Sequence, residues 1–442
     1  MKRFSFRLFA LGFLIGAIIA SAASVGSAFA AKAAPRLAAT SAQAPDQVIQ
    51  WNRILLAILR TPGAQPATVH PTRSMAILHA AVYDAVNAID RTHTDYLVHV
   101  DAPAGASEPA AAAAAAHDVL VQLYPGQQAM LDSDLTASLA AMPDGQSKAA
   151  GVQVGEHAAA MILALRANDG SAAPPIPFVA GANPGDYQLT PPAFAQPVFT
   201  HWQFVTPFAL PSGSQFRPAP PPPLTSATYT ADFNEVKSLG DVNSTTRTAD
   251  QTQIAKFWGA PIQNYWNEIA QTTALQHGTT LAQNARLFAL LDLSVADSVI
   301  AFYDAKYTYH RWRPITAIRA ADTDGNPATA ANPNWTPLAT TALDPSYPGA
   351  HATISADAAL VLAGFFGLNR DNFSVTSEVL PGVERSFTSF SDAAQEASNS
   401  RIYAGQHFRY DEVAGQRLGL QVGSWVLTHF LRPVTTTGRT PN

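Results

Sequence analysis

Residues 281–311 read LAQNARLFALLDLSVADSVIAFYDAKYTYHR, a long stretch in which apolar residues recur every three to four positions. This spacing is that of one face of an α-helix. Shorter segments around Ile49, Met75, Lys148 and Trp266 have the same period, and alanine, which favours helix, fills residues 110–116. The alternating polarity of half-buried strands is scarce. The sequence therefore predicts an all-α fold, a helical bundle.

The composition is that of a globular protein with a large core. Hydrophobic residues make up 47% of the 442 residues and charged residues only 13%, about half the usual share. The absence of cysteine excludes thiolate catalysis, iron–sulfur clusters, thiolate zinc sites and disulfides. The net charge is −5, and no basic run is long enough to follow a phosphate backbone, so nucleic acid is not expected as a partner.

The first 30 residues have the order of a secretory signal peptide. Lys2, Arg3 and Arg7 precede an apolar run at 8–20, and small residues end at Ala30, where cleavage is expected. An uncleaved membrane anchor is disfavoured, because the apolar run is shorter than the ~20 residues that a span needs. The expected location is secreted or periplasmic, with no stable membrane span in the mature chain.

Four regions follow from the composition along the chain. The signal peptide (1–30) leads to an Ala-, Pro- and Ser-rich flexible segment (31–45), an N-terminal helical region (46–280) and an oxyanion-binding helical core (281–434). A long Pro-rich excursion at 169–227 interrupts the second region, since its paired and clustered prolines cannot lie inside helices. We expect this excursion to wrap over the surface near the entrance of the site.

The end of the long helical segment carries two cations. Lys306 and Arg313 are seven residues apart, which places them two turns along one helical face, and Pro314 is expected to end the helix. A point charge beside a planar guanidinium suits a tetrahedral oxyanion. Taken alone, the segment also fits a solvated basic face.

A tight turn precedes the next apolar helix. Residues 345–351 read PSYPGAH, so proline and glycine place His351 at a helix N-terminus, where backbone amides and the macrodipole bind anions. A histidine beside a bound oxyanion can act as general acid or base near neutral pH. The alternative is a capping or core histidine.

A third segment, SRIYAGQH at 400–407, places a second histidine near an arginine. Arg401 is expected to close a short helix that Gly405 ends, and Asp411 to cap a helix running on to Leu431. His407 then lies in the turn between two helices, where it could be a metal ligand, a nucleophile or an ordinary surface histidine.

Together these segments resemble the three-part signature of the vanadium haloperoxidases and type 2 phosphatidic acid phosphatases. That signature is Lys-x6-Arg-Pro, then Pro-Ser-Gly-His, then Ser-Arg-x3-Gly-x-His, and it covers roughly residues 285–430. The first and third parts match in full. In the middle part Gly349 stands for the serine and Ala350 for the glycine. Trp51-Asn52 and residues 79–85 also look like helices of bacterial haloperoxidase-like proteins.

The resemblance implies a helical-bundle core in which Lys306, Arg313, Arg401 and the amides near Gly349 and Ala350 hold an oxyanion. In the haloperoxidase version the cofactor is vanadate, His407 is its axial ligand and His351 handles the protons of peroxide. The substrates are then hydrogen peroxide and a halide.

In the phosphatase version of the same resemblance there is no cofactor and the substrate is a phosphate monoester. His407 attacks phosphorus and His351 protonates the leaving oxygen. A third function is a non-catalytic oxyanion-binding descendant, which the five signature side chains disfavour.

Two departures bear on the activity. Without the serine hydroxyl the oxyanion loses a hydrogen bond of about 1.5–3 kcal/mol, so weaker binding is expected. Asp344, seven residues before His351, stands at a position that the family links to halide preference. Because a carboxylate facing the pocket would repel halide, no halide is named.

Three carboxylates, Asp292, Asp297 and Asp304, lie along the long helical segment. They either orient the site cations or are ordinary helix polarity. The sequence contains no His-Glu-x2-His pair or glycine-rich phosphate loop in a strand context. It leaves the organic substrate unidentified and a homo-oligomer open.

Overall fold

The computed structural model describes residues 45–434. The predicted signal peptide (1–30) and all but the last residue of the predicted lead-in (31–45) lie outside this range. The α-helices are α1 Gln47–Arg60, α2 Pro71–Asp90, α3 Glu108–Leu123, α4 Gln128–Ala140, α5 Gln146–Arg166, α6 Ala227–Leu239, α7 Ala249–Phe257, α8 Ile262–His277, α9 Leu281–Tyr309, α10 Pro314–Arg319, α11 Ala350–Phe366, α12 Phe390–Tyr403 and α13 Arg409–His429.

Strands contribute little to the part of the chain described. A single antiparallel hairpin joins β1 (Phe373–Thr376) to β2 (Glu384–Phe387), with Phe373 paired to Phe387. Short 3-10 turns occur at Pro125–Gln127, Trp202–Phe204 and Ala321–Thr323. The all-α bundle predicted from helical periodicity is confirmed.

Helix α9 is the central element. It starts with a capping box in which the Thr280 hydroxyl accepts from the Gln283 amide and the Gln283 side chain accepts from the Thr280 amide. Its residues from 287 to 307 are buried on every side, because α2 packs against one side and α11 and α13 against others. A helix that is apolar around its circumference belongs in a core.

The end of α9 differs from the sequence prediction. The helix stops at Tyr309, because His310 adopts a left-handed conformation with φ 45°. Pro314 does not end this helix: it is the first residue of α10, a position that suits a residue with fixed φ and no amide hydrogen. Arg313 is therefore the residue before α10, and the predicted common helical face with Lys306 is wrong.

Helices α11 and α13 approach each other closely along a glycine seam, which consists of Gly415, Gly419 and Gly423 on α13. A Cβ atom at Gly415 would collide with Gly349 O, and one at Gly419 would collide with Thr353 O. A Cβ atom at Gly423 would collide with the side chain of Asp357. The seam lets the backbones pack without intervening side chains. The N-termini of both helices consequently meet, and there Gly349 N donates to Asp411 O at 2.9 Å.

The Pro-rich stretch between α5 and α6 is anchored on the central helix. Asp297 of α9 is fully buried and accepts hydrogen bonds of 2.6–2.7 Å from the amides of Phe208, Ala209 and Leu210. Three backbone donors that have no helical partner are thereby satisfied. One carboxylate fixes the middle of the stretch.

Other parts of this stretch run beside the loops that follow α9. Tyr187 N donates to His310 O at 2.6 Å, and Val198 N donates to Leu343 O at 2.8 Å. The hydroxyl of Tyr347 donates to Ala219 O at 2.6 Å. These contacts hold the loops on both sides of α10.

None of the helices between residues 45 and 434 is long and apolar enough to cross a membrane.

Candidate oxyanion-binding site

Five side chains singled out from the sequence meet where several helices end. Lys306 lies in the last turn of α9, Arg313 just before α10, His351 in the first turn of α11, Arg401 in the last turn of α12 and His407 in the turn that leads into α13. Burial lowers the pKa of His407 well below its usual range, and the charges of the other four act in the same direction. The structure therefore brings all five into one electrostatic neighbourhood.

Arg313 is held rigidly. Its Nε donates to Asp344 O at 2.8 Å, and Nη1 donates to Gln406 O at 3.0 Å. The same Nη1 lies 3.0 Å from His407 Nε2. Since a guanidinium can only donate, the imidazole nitrogen that faces it accepts.

Lys306 is fully buried and points into the loop before α11. Its Nζ donates to Pro345 O, and to Ser346 O at 3.2 Å. Burial lowers the pKa of this ammonium to about 8, and the nearby carboxylate of Asp344 opposes that shift. Both carbonyl contacts position the charge beside the turn that carries His351.

Asp344 faces the cations. One of its oxygens accepts from Arg313 Nη2, and Oδ2 lies 3.5 Å from Lys306 Nζ. The pocket thus contains its own anion, bound to two of the three cations expected to bind an oxyanion. The sequence analysis expected a carboxylate at this position to repel halide if it faced the pocket, and the Asp344 carboxylate does face the pocket.

A second carboxylate orients His407. Its Nδ1 lies 3.2 Å from Asp411 Oδ2, which also accepts from Ser346 Oγ at 2.6 Å and from Phe408 N at 2.9 Å. With Arg313 on Nε2, this arrangement assigns the hydrogen to Nδ1 and the lone pair to Nε2. Asp411 is not the N-cap predicted from the sequence: Phe408 is, and Asp411 lies in the first turn.

Arg401 is buried, and its Nε has no hydrogen-bond partner among the described residues. Burial lowers its pKa to about 10, an effect that the charge of Glu412 opposes. A buried guanidinium donor without a partner is costly and calls for an anion that the chain does not provide.

Of the five side chains, His351 alone is partly exposed. Its Nε2 donates to Trp258 O at 3.1 Å, which leaves the lone pair on Nδ1. Loss of solvent lowers the pKa of His351 well below its usual range, and the charge of Arg401 adds to that effect. The ring is neutral at pH 7 and able to accept a proton.

The two predicted amide donors differ in their surroundings. The amide of Gly349 is already bonded to Asp411 O. Ala350 is the first residue of α11, so its amide lies at the positive end of that helix. An oxyanion contact by a backbone amide is therefore expected at Ala350 and not at Gly349.

The three α9 carboxylates do not orient the site cations. Asp292 accepts from Asn267 Nδ2 at 2.9 Å, and Asp304 forms a bidentate pair with Arg217. Asp297 binds backbone amides, as described above. Each of the three instead fixes a neighbouring segment to α9.

Two polar residues near His407 were missed by the sequence analysis. Ser346 supports Asp411, and Glu412 lies with Oε1 3.8 Å from His407 Nδ1. Burial, followed by the charge of Asp411, raises the pKa of Glu412 to about 8. Their only signal in the sequence is proximity to the second and third parts of the signature.

Known proteins match this chain over its C-terminal part in sequence and over most of its length in fold. A family model described as the VCPO second helical-bundle domain matches residues 286–436. Vanadium chloroperoxidase of Curvularia inaequalis is 25% identical over 268 residues, which are 45% of this chain and 43% of that protein. The chain thus matches less than half the length of this curated relative.

Solved structures match over most of the chain. The first bacterial vanadium-dependent iodoperoxidase superposes with a TM-score of 0.70 and 25% identity, covering 86% of this chain and 94% of that one. A holo bacterial vanadium-dependent chloroperoxidase, with a TM-score of 0.66 and 15% identity over 87% and 97% of the two chains, has the same fold.

These matches support the superfamily of vanadium haloperoxidases and type 2 phosphatidic acid phosphatases that the signature indicated. Within that superfamily, the proteins to which the chain is similar over most of its length are bacterial vanadium haloperoxidases.

Proposed function

We propose that this protein is a vanadate-dependent haloperoxidase that uses hydrogen peroxide to oxidise a halide. The observation that carries the proposal is the state of His407: Asp411 holds its Nδ1 and its Nε2 lone pair faces Arg313. An imidazole with its hydrogen on Nδ1 can serve as a ligand through Nε2 once Arg313 Nη1 turns from that lone pair to the oxyanion, and the cations around it attract an oxyanion. The iodoperoxidase and chloroperoxidase activities named for the similar structures support the proposal.

The residues present fit vanadate. His407 Nε2 would be the ligand, and Lys306, Arg313, Arg401 and the amide of Ala350 would hold the oxygens. The partnerless Nε of Arg401 is a donor that such an oxyanion would satisfy. When bound, vanadate supplies a Lewis-acidic centre that activates hydrogen peroxide towards halide.

The chain's own residues have separate tasks in this reaction. The three cations balance the charge of the oxyanion and withdraw electron density from it. His351, neutral and partly exposed, accepts a proton from peroxide through Nδ1 and returns it to the product oxygen. Asp411 keeps His407 in the tautomer whose Nε2 can bind.

Phosphomonoester hydrolysis is the second candidate, and the changed turn favours it, since Gly349 and Ala350 stand where the signature has serine and glycine. The carboxylate of Asp344, bound to Arg313 and Lys306, opposes halide and phosphate alike and does not separate the two candidates. In that reaction Nδ1 of the neutral His351 first takes up the proton of the bound monoester monoanion. Nε2 of His407 then attacks phosphorus, and the alcohol leaves with the proton held by His351. Water then cleaves the phosphohistidine and restores the enzyme.

We also propose that the protein acts after export. The support is the sequence of residues 1–30 alone, and N-terminal sequencing of the protein recovered outside the cytoplasm tests it. A new N-terminus at Ala31 is the expected result, and an intact leader would contradict it.

The deciding experiment compares the purified chain with His407→Ala, with and without orthovanadate. Iodide, bromide and chloride are each supplied with hydrogen peroxide and a phenol dye. Vanadate-dependent dye halogenation that His407→Ala abolishes is the expected result. Exposed His99 gives the matched control, since His99→Ala should retain full activity.

Hydrolysis of a phosphate monoester is measured on the same samples. If hydrolysis depends on His407, is inhibited by vanadate and is accompanied by no halogenation, the haloperoxidase proposal is overturned in favour of the phosphatase.

A further inference from the structure

The family signature has serine at position 349, where this chain has glycine. A neighbouring side chain, and not the backbone conformation of residue 349 itself, explains the glycine. Gly349 has φ −71°, a conformation that any residue adopts. What excludes a side chain is Glu412: a Cβ atom at 349 would collide with its Oε1 and lie 2.8 Å from its Cδ. Both of those atoms belong to the carboxyl group.

The Glu412 side chain is fixed at this place. The residue is 1% exposed, and Oε2 accepts from Ser398 Oγ at 3.1 Å. Oε1 lies 3.8 Å from His407 Nδ1 and has no hydrogen-bond partner within residues 45–434. A buried carboxyl oxygen without a partner can accept one more hydrogen bond, which the hydroxyl group of a protonated oxyanion such as dihydrogen vanadate or monohydrogen phosphate can donate.

We propose that the carboxyl group of Glu412 fills the space that the serine side chain of the signature would occupy. In this protein that carboxyl group therefore lies beside the bound oxyanion. The inference rests on the proposed function in one respect, which is that an oxyanion binds at His407. It adds a residue, and a reason for the departure from the signature, that the resemblance alone does not supply.

A testable consequence is that positions 349 and 412 are coupled. With Glu412 present, a serine at 349 has no room and must displace the carboxyl group or the N-terminus of α11. With alanine at 412 the same serine has room, and its hydroxyl can donate to the oxyanion. The effect of one substitution should therefore reverse in sign with the residue at the other position.

The experiment measures dissociation constants for orthovanadate and for inorganic phosphate by titration calorimetry. The four proteins are the wild type, Gly349→Ser, Glu412→Ala and the double variant. Serine should weaken binding about tenfold or more when Glu412 is present. It should strengthen binding about tenfold when alanine is present, the factor that one hydrogen bond to a charged group contributes.

Ser398→Ala is the matched control. It removes the hydrogen bond to Glu412 but leaves the carboxyl group in place, so serine at 349 should still weaken binding in that background. Thermal unfolding of all variants without oxyanion gives a second readout: serine should lower Tm beside Glu412 and leave it nearly unchanged beside alanine.

The outcomes separate this inference from the proposed function. If the wild type binds vanadate through His407 but serine has the same effect in both backgrounds, the inference is overturned and the proposed function stands. If the wild type binds neither vanadate nor phosphate, the proposed function is overturned, and with it the claim that Glu412 lies beside an oxyanion.

Discussion

The carboxylate of Asp344 lies 3.5 Å from the ammonium nitrogen of Lys306, inside the group of cations expected to bind an oxyanion. Arg313 contacts the same carboxylate. An oxyanion that enters the site competes with this internal anion for both cations and is also repelled by it. Asp344 therefore lowers the affinity of the pocket while it stabilises the protein without ligand.

The first prediction follows from this double role. Asp344→Asn should lower Tm in the absence of oxyanion, because breaking a buried ion pair leaves cations uncompensated at a cost of up to about 3–5 kcal/mol. It should also tighten orthovanadate binding by about tenfold. Thermal unfolding with increasing vanadate measures both effects.

The control is Asp304→Asn, which breaks the pair with Arg217 on the same helix but outside the pocket. Loss of stability without any change in vanadate affinity is expected there. If Asp344→Asn also left the affinity unchanged, the competition would be disproved.

The second prediction concerns Arg401, whose Nε lacks a partner among the described residues. Arg401→Lys keeps the charge but loses the planar fork, so vanadate should bind about tenfold more weakly. Arg401→Ala should weaken binding further, by about a hundredfold. Equilibrium titration with vanadate checks the order, and an affinity of Arg401→Lys equal to that of the wild type would show that the fork geometry is unimportant.

The third prediction concerns the tautomer of His407. Asp411→Asn removes the carboxylate that holds Nδ1–H, so a fraction of the rings will carry hydrogen on Nε2 and fail to bind. Turnover should fall at least about tenfold while the fold persists. Nitrogen NMR of labelled histidine reports the tautomer directly, and an unchanged spectrum would refute this role for Asp411.

The fourth prediction is a pH dependence of stability set by Asp357. Burial raises its pKa from 3.8 to about 8 despite hydrogen bonds from Ser294 and Ser298. A raised pKa means that the contribution of this group to stability is complete below pH 3.8 and is lost as pH rises towards 8. Asp357→Asn lacks this loss.

The free energy of unfolding of Asp357→Asn should therefore rise relative to the wild type between pH 5 and 8, at up to about 1.4 kcal/mol per pH unit, and level off above that range. Urea unfolding across this range measures the difference. The fully exposed Asp101 provides a control, since Asp101→Asn should show no such trend. Parallel curves for Asp357→Asn and the wild type would contradict the assignment.

The fifth prediction concerns the anchor of the Pro-rich stretch. Asp297→Ala leaves the amides of residues 208–210 without their acceptor, at about 1–3 kcal/mol for each buried donor. Limited proteolysis should then cut near these residues, ahead of global unfolding. If the rate of cleavage near residues 208–210 were unchanged and cleavage occurred at other places, contacts other than those of Asp297 would fix the stretch.

Much of the fold could be predicted because the helices carry their own signals. The period of α9 and the Thr280–Gln283 capping box are local in sequence. The end of α9 has no such local signal, because it depends on hydrogen bonds to a distant segment: Tyr187 N donates to His310 O, and Trp312 N donates to Gly185 O. These contacts from a distant segment place His310 in a left-handed conformation, and no pattern near residue 310 indicates them.

The residues of the site also divide into those that a local sequence pattern identifies and those that depend on distant contacts. Lys306, Arg313, His351, Arg401 and His407 follow a signature with fixed spacings, so the amino-acid sequence alone is enough to identify them. Glu412 could not be identified in this way, since its relation to Gly349 depends on how closely α11 and α13 pack. The direction of the Asp344 side chain likewise depends on a loop that only the folded chain defines.

The glycine seam has one further consequence for the pocket. By bringing the first turns of α11 and α13 together, it aims the positive ends of two backbone dipoles at one point, each equivalent to about half an elementary charge. This part of the field belongs to peptide groups, so it neither titrates nor disappears when a side chain is replaced. The contribution of these peptide groups to anion binding should therefore be the same at every pH and in every side-chain variant that leaves the two helices packed.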